Sequence, residues 1–191
     1  LNNLLEKFAH AEKKPGWWLV SSTSVYGQTG GEWVDEESPA ISTSPTALYI
    51  RAAEQKLADL DQLNVVVRFS GIYGAGREYL LRMAQQVPEI QKDPPYYTNR
   101  IHAQDCVAVL VFLLNQRLAG SVLDQYYLAS DDDPAPQWDV MSWLAQRMSL
   151  PGPKVKALAG EVDRNKRCSN LRLKQLGYQF IYPTFKQGYS E

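Results

Sequence analysis

Residues 17–27 read WWLVSSTSVYG, from Trp17 to Gly27. Two tryptophans, Leu19 and Val20 stop abruptly at four hydroxyls, Ser21, Ser22, Thr23 and Ser24. Aromatic and β-branched residues followed by small polar ones describe a buried strand that delivers hydroxyls to its carboxyl end. In open parallel α/β sheets, ligands bind at the carboxyl ends of the strands. A candidate site therefore begins at Ser21.

On either side of this strand the pattern alternates between helix and strand. Leu4, Leu5, Phe8 and Ala9 give an amphipathic helix over residues 1–13, ended by Pro15-Gly16. Gln28 to Ser44 reads as a long loop with four acids, and loops of that length inside a domain are more often functional than idle. Ser44 can cap a helix with Pro45 at its first position, running to Leu60. A second strand, Asn64 to Ser70, ends in the glycine-rich turn Gly71–Arg77. Helices are expected over 78–87, 103–116, 138–148 and 171–176, a short extended segment over 96–101, and a third strand over 126–129. The run Asp131-Asp132-Asp133 is expected to be a solvated turn rather than a metal site. Strands alternating with helices, the strands being apolar throughout, mark a parallel α/β sheet with helices on both faces.

Composition narrows the function. The 191 residues are 45% hydrophobic, enough for a packed core, and the formal net charge of −1 gives no reason to expect a nucleic acid or an anionic membrane as partner. Two cysteines without C-x-x-C spacing and two histidines leave little to hold a metal, so none is expected. Reduced thiols and the lack of a long apolar run fit a cytoplasmic protein.

Four stretches, SSTSVYG, RFSGIYGAGR, NRIHAQD and YYLASDDDP, occur in an order that resembles the extended short-chain dehydrogenase/reductase superfamily, the NAD-dependent epimerase/dehydratase group. The resemblance runs from Trp17 to Tyr189. It implies a Rossmann-like sheet spanning residues 1–130, with an excursion near 75–100, and a small C-terminal substrate-binding lobe over 131–191. It further implies NAD or NADP as cofactor, a small-molecule substrate and a homodimer built on the helices at 1–13 and 45–60. Family members begin with a strand and a glycine-rich phosphate loop, which these 191 residues do not contain. The first helix is similar to the family's fourth and the first strand to its fifth, so the chain is expected to be the C-terminal part of a longer protein.

By the same resemblance, Ser22 takes the catalytic hydroxyl position with Thr23 beside it, and Ser21, Phe69, Ser70, Gly71 and Ile72 flank the cofactor. Trp33, Arg77, Arg100 and His102 face the substrate, Arg77 as a fork for phosphate or carboxylate. The family's Tyr-x-x-x-Lys pair is not present, a departure that resembles the atypical branch of the superfamily. Aligning Glu54 with the acid that commonly closes the family's helix puts Thr46 and Ile50 at those positions, and Tyr49, the only tyrosine of the helix, is the remaining proton-donor candidate beside His102. A phenol is a poor base at neutral pH until a nearby cation stabilises its phenolate, and Lys56 lies two turns from Tyr49. The expected function is an NAD(P)-dependent epimerase, dehydratase or oxidoreductase acting on a small or sugar-like substrate. The alternatives are a non-catalytic NAD(P)-binding or sensing protein and a structural or partner-binding remnant of the fold.

Overall fold

Trp18–Ser22 (β1) is a strand, and one turn of 3-10 helix, Thr23–Val25, follows it directly. The structure, a computed structural model, describes residues 16–157 and 164–190 together with Asn3 and Lys7. The helix expected over 1–13 therefore lies outside the described residues except at those two positions. Gln28 to Ser44 is not the bare loop expected. Glu32–Val34 (β2) pairs in parallel with Lys166–Cys168, near the other end of the chain. Strands of three residues with so distant a partner leave no local periodicity to read.

Pro45–Leu60 (α1) starts as its sequence dictates, with the Ser44 hydroxyl accepting the Ala47 N–H at 3.3 Å. Val65–Phe69 (β3) follows, all five residues buried. It pairs in parallel with β1, Trp18 opposite Val65 through Ser22 opposite Phe69. Gly71–Tyr73 (β4), expected as a turn, is a short strand instead. The chain continues through Tyr79–Gln85 (α2), Glu89–Ile90 (β5), Tyr97–Thr98 (β6), Arg100–His102 (β7), which pairs with β4, and Ala103–Leu118 (α3). Tyr126–Ala129 (β8) then pairs in parallel with the free side of β3, giving the order β1-β3-β8. The remaining elements are Ala135–Pro136 (β9), Gln137–Arg147 (α4), Lys154–Val155 (β10), the Lys166–Cys168 strand (β11), Leu171–Gln175 (α5) and Phe185–Gly188 (α6).

Alternation along β3 distributes the core. Val65, Val67 and Phe69 pack with Val109 and Leu113 of α3, while Val66 packs with Leu57 of α1. The expected cover of helices on both faces is present, and the fold is an α/β Rossmann-like parallel sheet. A second core, around Ala84, Val140, Met141, Leu144 and Phe185, joins α2, α4 and α6.

Asp105, in the first turn of α3, is fully buried. Its carboxylate accepts hydrogen bonds from the Tyr178 hydroxyl at 2.7 Å, the Ile181 N–H at 2.8 Å and the Tyr182 N–H at 2.9 Å. The acid suits the positive end of the helix dipole and anchors the chain that leads to α6. Asp105→Ala removes the carboxylate that serves these three donors and is expected to lower stability by about 3 kcal/mol. Urea denaturation measures this directly, and an unchanged midpoint would show that the clamp is dispensable.

Candidate functional site

The carboxyl ends of β1, β3 and β8 lie side by side, and they bring together some of the expected residues. Ser22 caps the 3-10 turn, its Oγ accepting the Ser24 N–H at 3.1 Å, which leaves its own O–H available to donate. Its neighbours are committed. The Ser21 hydroxyl donates to Glu54 Oε1 at 2.5 Å, and Thr23 is buried beside the Cys168 thiol. Burial pushes that thiol up to about 12, so Cys168 is a neutral packing partner and not a nucleophile.

At the end of β3, Phe69 belongs to the core and the Ser70 hydroxyl shares a hydrogen bond with Ser130 at 3.1 Å. Neither side chain is presented outward. Gly71 and Ile72 are, and they line a cavity of about 250 Å³ with Arg77, Arg100, Val140 and Met141. This cavity lies between the end of the sheet and α4 of the second core.

His102 is buried and caps α3, Nδ1 accepting the Gln104 N–H at 3.3 Å. Its ring packs against Tyr182, with centroids 4.0 Å apart, and against Tyr73. A Cβ on Gly74 would sit 2.8 Å from His102 Nε2, and Gly74 has φ of +126°, so both space and backbone require glycine there. Trp33, 56% exposed and stacked under Arg167, lines a different cavity of about 380 Å³ with Asp131, Cys168, Asn170 and Lys174. Tyr49 is 79% exposed on α1 and lines neither cavity. At the positions aligned with the family's pair, Thr46 is exposed and Ile50 packs on the cluster of Val25, Tyr26 and Val34.

Two groups escaped the sequence reading. The first is a buried network. Arg68 donates from Nε to Glu54 Oε1 at 3.0 Å, from NH2 to Oε2 at 2.7 Å and from NH1 to the Tyr26 hydroxyl at 2.8 Å. Tyr26 in turn donates to the Asp35 carbonyl at 2.7 Å, and burial pushes its phenol up to about 12. The available signal was an arginine inside the otherwise apolar strand VVVRF. The second is Asp131, which is not the solvated turn residue expected. It is 1% exposed because β8 delivers it inward, and burial pushes its carboxyl up to about 8. Asp132, by contrast, bonds the Lys174 ammonium at 3.0 Å at the surface. Among the described residues, no group of three or more His, Cys, Asp and Glu side chains is placed to hold a metal, and no helix is long and apolar enough to cross a membrane.

A scan of protein-family models and a search of curated proteins gave no match. Solved structures do match. A protein of Methylobacillus flagellatus named as an NAD-dependent epimerase/dehydratase is 39% identical with a TM-score of 0.78, over 91% of this chain and 61% of its own. A conserved protein of unknown function from Silicibacter pomeroyi is 29% identical with a TM-score of 0.82, over all of this chain and 70% of its own. UDP-glucose 4-epimerase of Thermus thermophilus, solved with NAD, shares the fold at 20% identity and a TM-score of 0.75, over 98% of this chain and 65% of its own. The chain is thus a relative of the extended short-chain dehydrogenase/reductases of the epimerase/dehydratase kind, and it spans about three-fifths of the length of the M. flagellatus protein.

Two measurements check the site's electrostatics. Arg68→Met strands Glu54 in the interior and is expected to cost about 3–5 kcal/mol, while the double variant Glu54→Met/Arg68→Met recovers most of that loss; equal losses in both would show that the charges are not coupled. For Asp131 the folded state holds its proton up to about pH 8, whereas the unfolded chain releases it near 3.8. The folded state therefore binds more protons across that window, and this residue's contribution to stability falls as pH rises through it. Asp131→Asn is expected to flatten that fall, measured by urea denaturation at about pH 5 and about pH 9; parallel pH profiles for the two proteins would contradict it.

Proposed function

We propose that the chain forms most of an NAD(P)-dependent enzyme, an epimerase, dehydratase or oxidoreductase acting on a small or sugar-like substrate. The observation that carries this is the placement of Ser22 at the carboxyl end of β1, opposite Phe69, and of Gly71, Ile72 and Arg100 around a cavity just beyond the end of β3, in a chain 39% identical to a protein named as an NAD-dependent epimerase/dehydratase. Ligands of open α/β sheets bind in that crevice. The fit to a nicotinamide ring is steric: Gly71 is exposed and without a side chain, so a flat ring can approach the backbone there. The bound cofactor would supply or accept hydride. Ser22, with its proton free to donate, would polarise a substrate carbonyl or hydroxyl, with Thr23 supporting the turn. Phe69 and Ser70 fix the backbone of the cofactor wall from inside, and Ser21 does so through Glu54.

Residues 1–130 would hold the cofactor side and 131–191 the substrate lobe, with the 75–100 excursion contributing α2 to that lobe. The protein would act in the cytoplasm as a homodimer. Trp33 would guard the loop side of the cleft, and Tyr49 would have to move from its exposed position to take part in proton transfer.

A second reading, a non-catalytic NAD(P)-binding or sensing protein, is favoured by Ile50, which puts an apolar side chain where the family places its lysine. Calorimetry of the protein with NADH and with NADPH tests cofactor binding, and no heat with either nucleotide would sink both readings. Ser22→Ala separates them. An enzyme is expected to lose about a hundredfold in turnover with cofactor affinity unchanged, whereas a sensor shows no turnover to lose.

A further inference from the structure

Arg100 is 2% exposed, yet among the described residues no carboxylate lies within 4 Å of its guanidinium. Its hydrogen bonds go to neutral acceptors. NH2 bonds the Thr98 carbonyl at 3.0 Å and the Thr98 hydroxyl at 2.5 Å, and NH1 reaches the Asp133 carbonyl at 3.4 Å. Its plane rests 5.1 Å from the Phe185 ring centroid. A buried charge without a counter-charge is costly unless a ligand supplies one. Around it stand three buried polar atoms without a hydrogen-bond partner among the described residues, Tyr73 Oη, Tyr189 Oη and Asp131 Oδ2. Asp131 and Asp133 are the acids that act on Arg100, neither within ion-pair distance, and burial pushes the Asp131 carboxyl up to about 8. Burial also raises the Tyr73 phenol, which stays protonated and able to donate.

Arg100 and Tyr73 both line the cavity of about 250 Å³, and Ile72, Leu80, Val140 and Met141 form its apolar walls. We propose that this cavity binds a small organic monocarboxylate, its head on Arg100 and its hydrocarbon body against Ile72, Val140 and Met141. The guanidinium fork matches a carboxylate. Arg77 also lines the cavity but is exposed, where solvent screens its charge, so Arg100 is the one buried cation and matches a carboxylate better than a dianionic phosphate. The volume lies below the roughly 300–1,000 Å³ of pockets for drug-sized ligands, so a short chain fills it. This gives the proposed substrate its chemical class. It rests on the functional reading only for the word substrate, because binding here involves no residue of the hydroxyl turn.

The test is calorimetry of the protein without cofactor, using hexanoate, hexanamide and hexyl phosphate as probes. Hexanoate is expected to bind roughly ten- to a hundredfold more tightly than hexanamide. Arg100→Gln is expected to erase that preference, and Val140→Trp, which fills the cavity and leaves Arg100 in place, to abolish hexanoate binding. Equal affinity for acid and amide, no binding of either, tighter binding of hexyl phosphate, or hexanoate binding that survives both substitutions would each overturn the proposal. Because no cofactor is present, the outcome is independent of NADH and NADPH binding, and failure of one proposal is distinguishable from failure of the other.

Discussion

A guanidinium in the middle of a buried strand must be neutralised where it stands, and Arg68 sets this requirement for the whole molecule. Among the described residues Glu54 alone answers it with charge, through two hydrogen bonds, and Ser21 gives the same carboxylate a third. Tyr26 completes the set, and the Arg68 guanidinium also lies near the Tyr26 and Tyr126 rings. Such a pair is weak evidence for net stability, because desolvation offsets most of its attraction. Its consequence is geometric. One carboxylate holds α1 to β3 and to the end of β1, so the rotation of the helix and the position of the hydroxyl turn are fixed together.

That rotation has effects along α1. Tyr49 lies five residues before Glu54, about 140° away around the helix, and so turns outward. Ile50 lies one turn before Glu54, on the same side, and packs under the hydroxyl turn against Val25 and Tyr26. An ammonium at that position would be desolvated against apolar neighbours, with a lowered pKa and little power to stabilise a phenolate. At Ile50 the helix therefore offers an apolar contact to the hydroxyl turn rather than a charge.

The sheet was legible because its signals are local. Runs such as VVVRF and WWLV, bounded by hydroxyls, glycine and proline, dictate strands wherever they fall, and Ser44-Pro45 dictates a helix start. Elements that depend on distant partners were not legible. β2 exists because β11 pairs with it, and β4 because β7 does, and three residues carry no period. In the candidate site, motif order singled out Ser22, Gly71 and Arg100, and of these Gly71 and Arg100 line one cavity. The burial of Asp131 was not, since an acidic run next to proline looks solvated until β8 is seen to drive its first member inward. Arg68 was visible in the sequence as a charge out of place, but its partners Glu54 and Tyr26 come from two other elements and only the fold unites them.

The two cores meet through Asp105. By holding Tyr178, Ile181 and Tyr182, it directs the last residues back across the carboxyl end of the sheet. Phe185 then reaches a position beneath the Arg100 guanidinium, and Tyr189 stacks on Tyr73 with ring centroids 4.6 Å apart. Gly188 is required at that crossing, since a Cβ there would collide with the Tyr73 ring. The tail therefore excludes water from the back of Arg100 and strengthens its field in the cavity, because a charge screened by side chains acts over a lower dielectric than one in water. The same residues that lock α6 into the second core thus set how strongly an anion is felt at the end of the first.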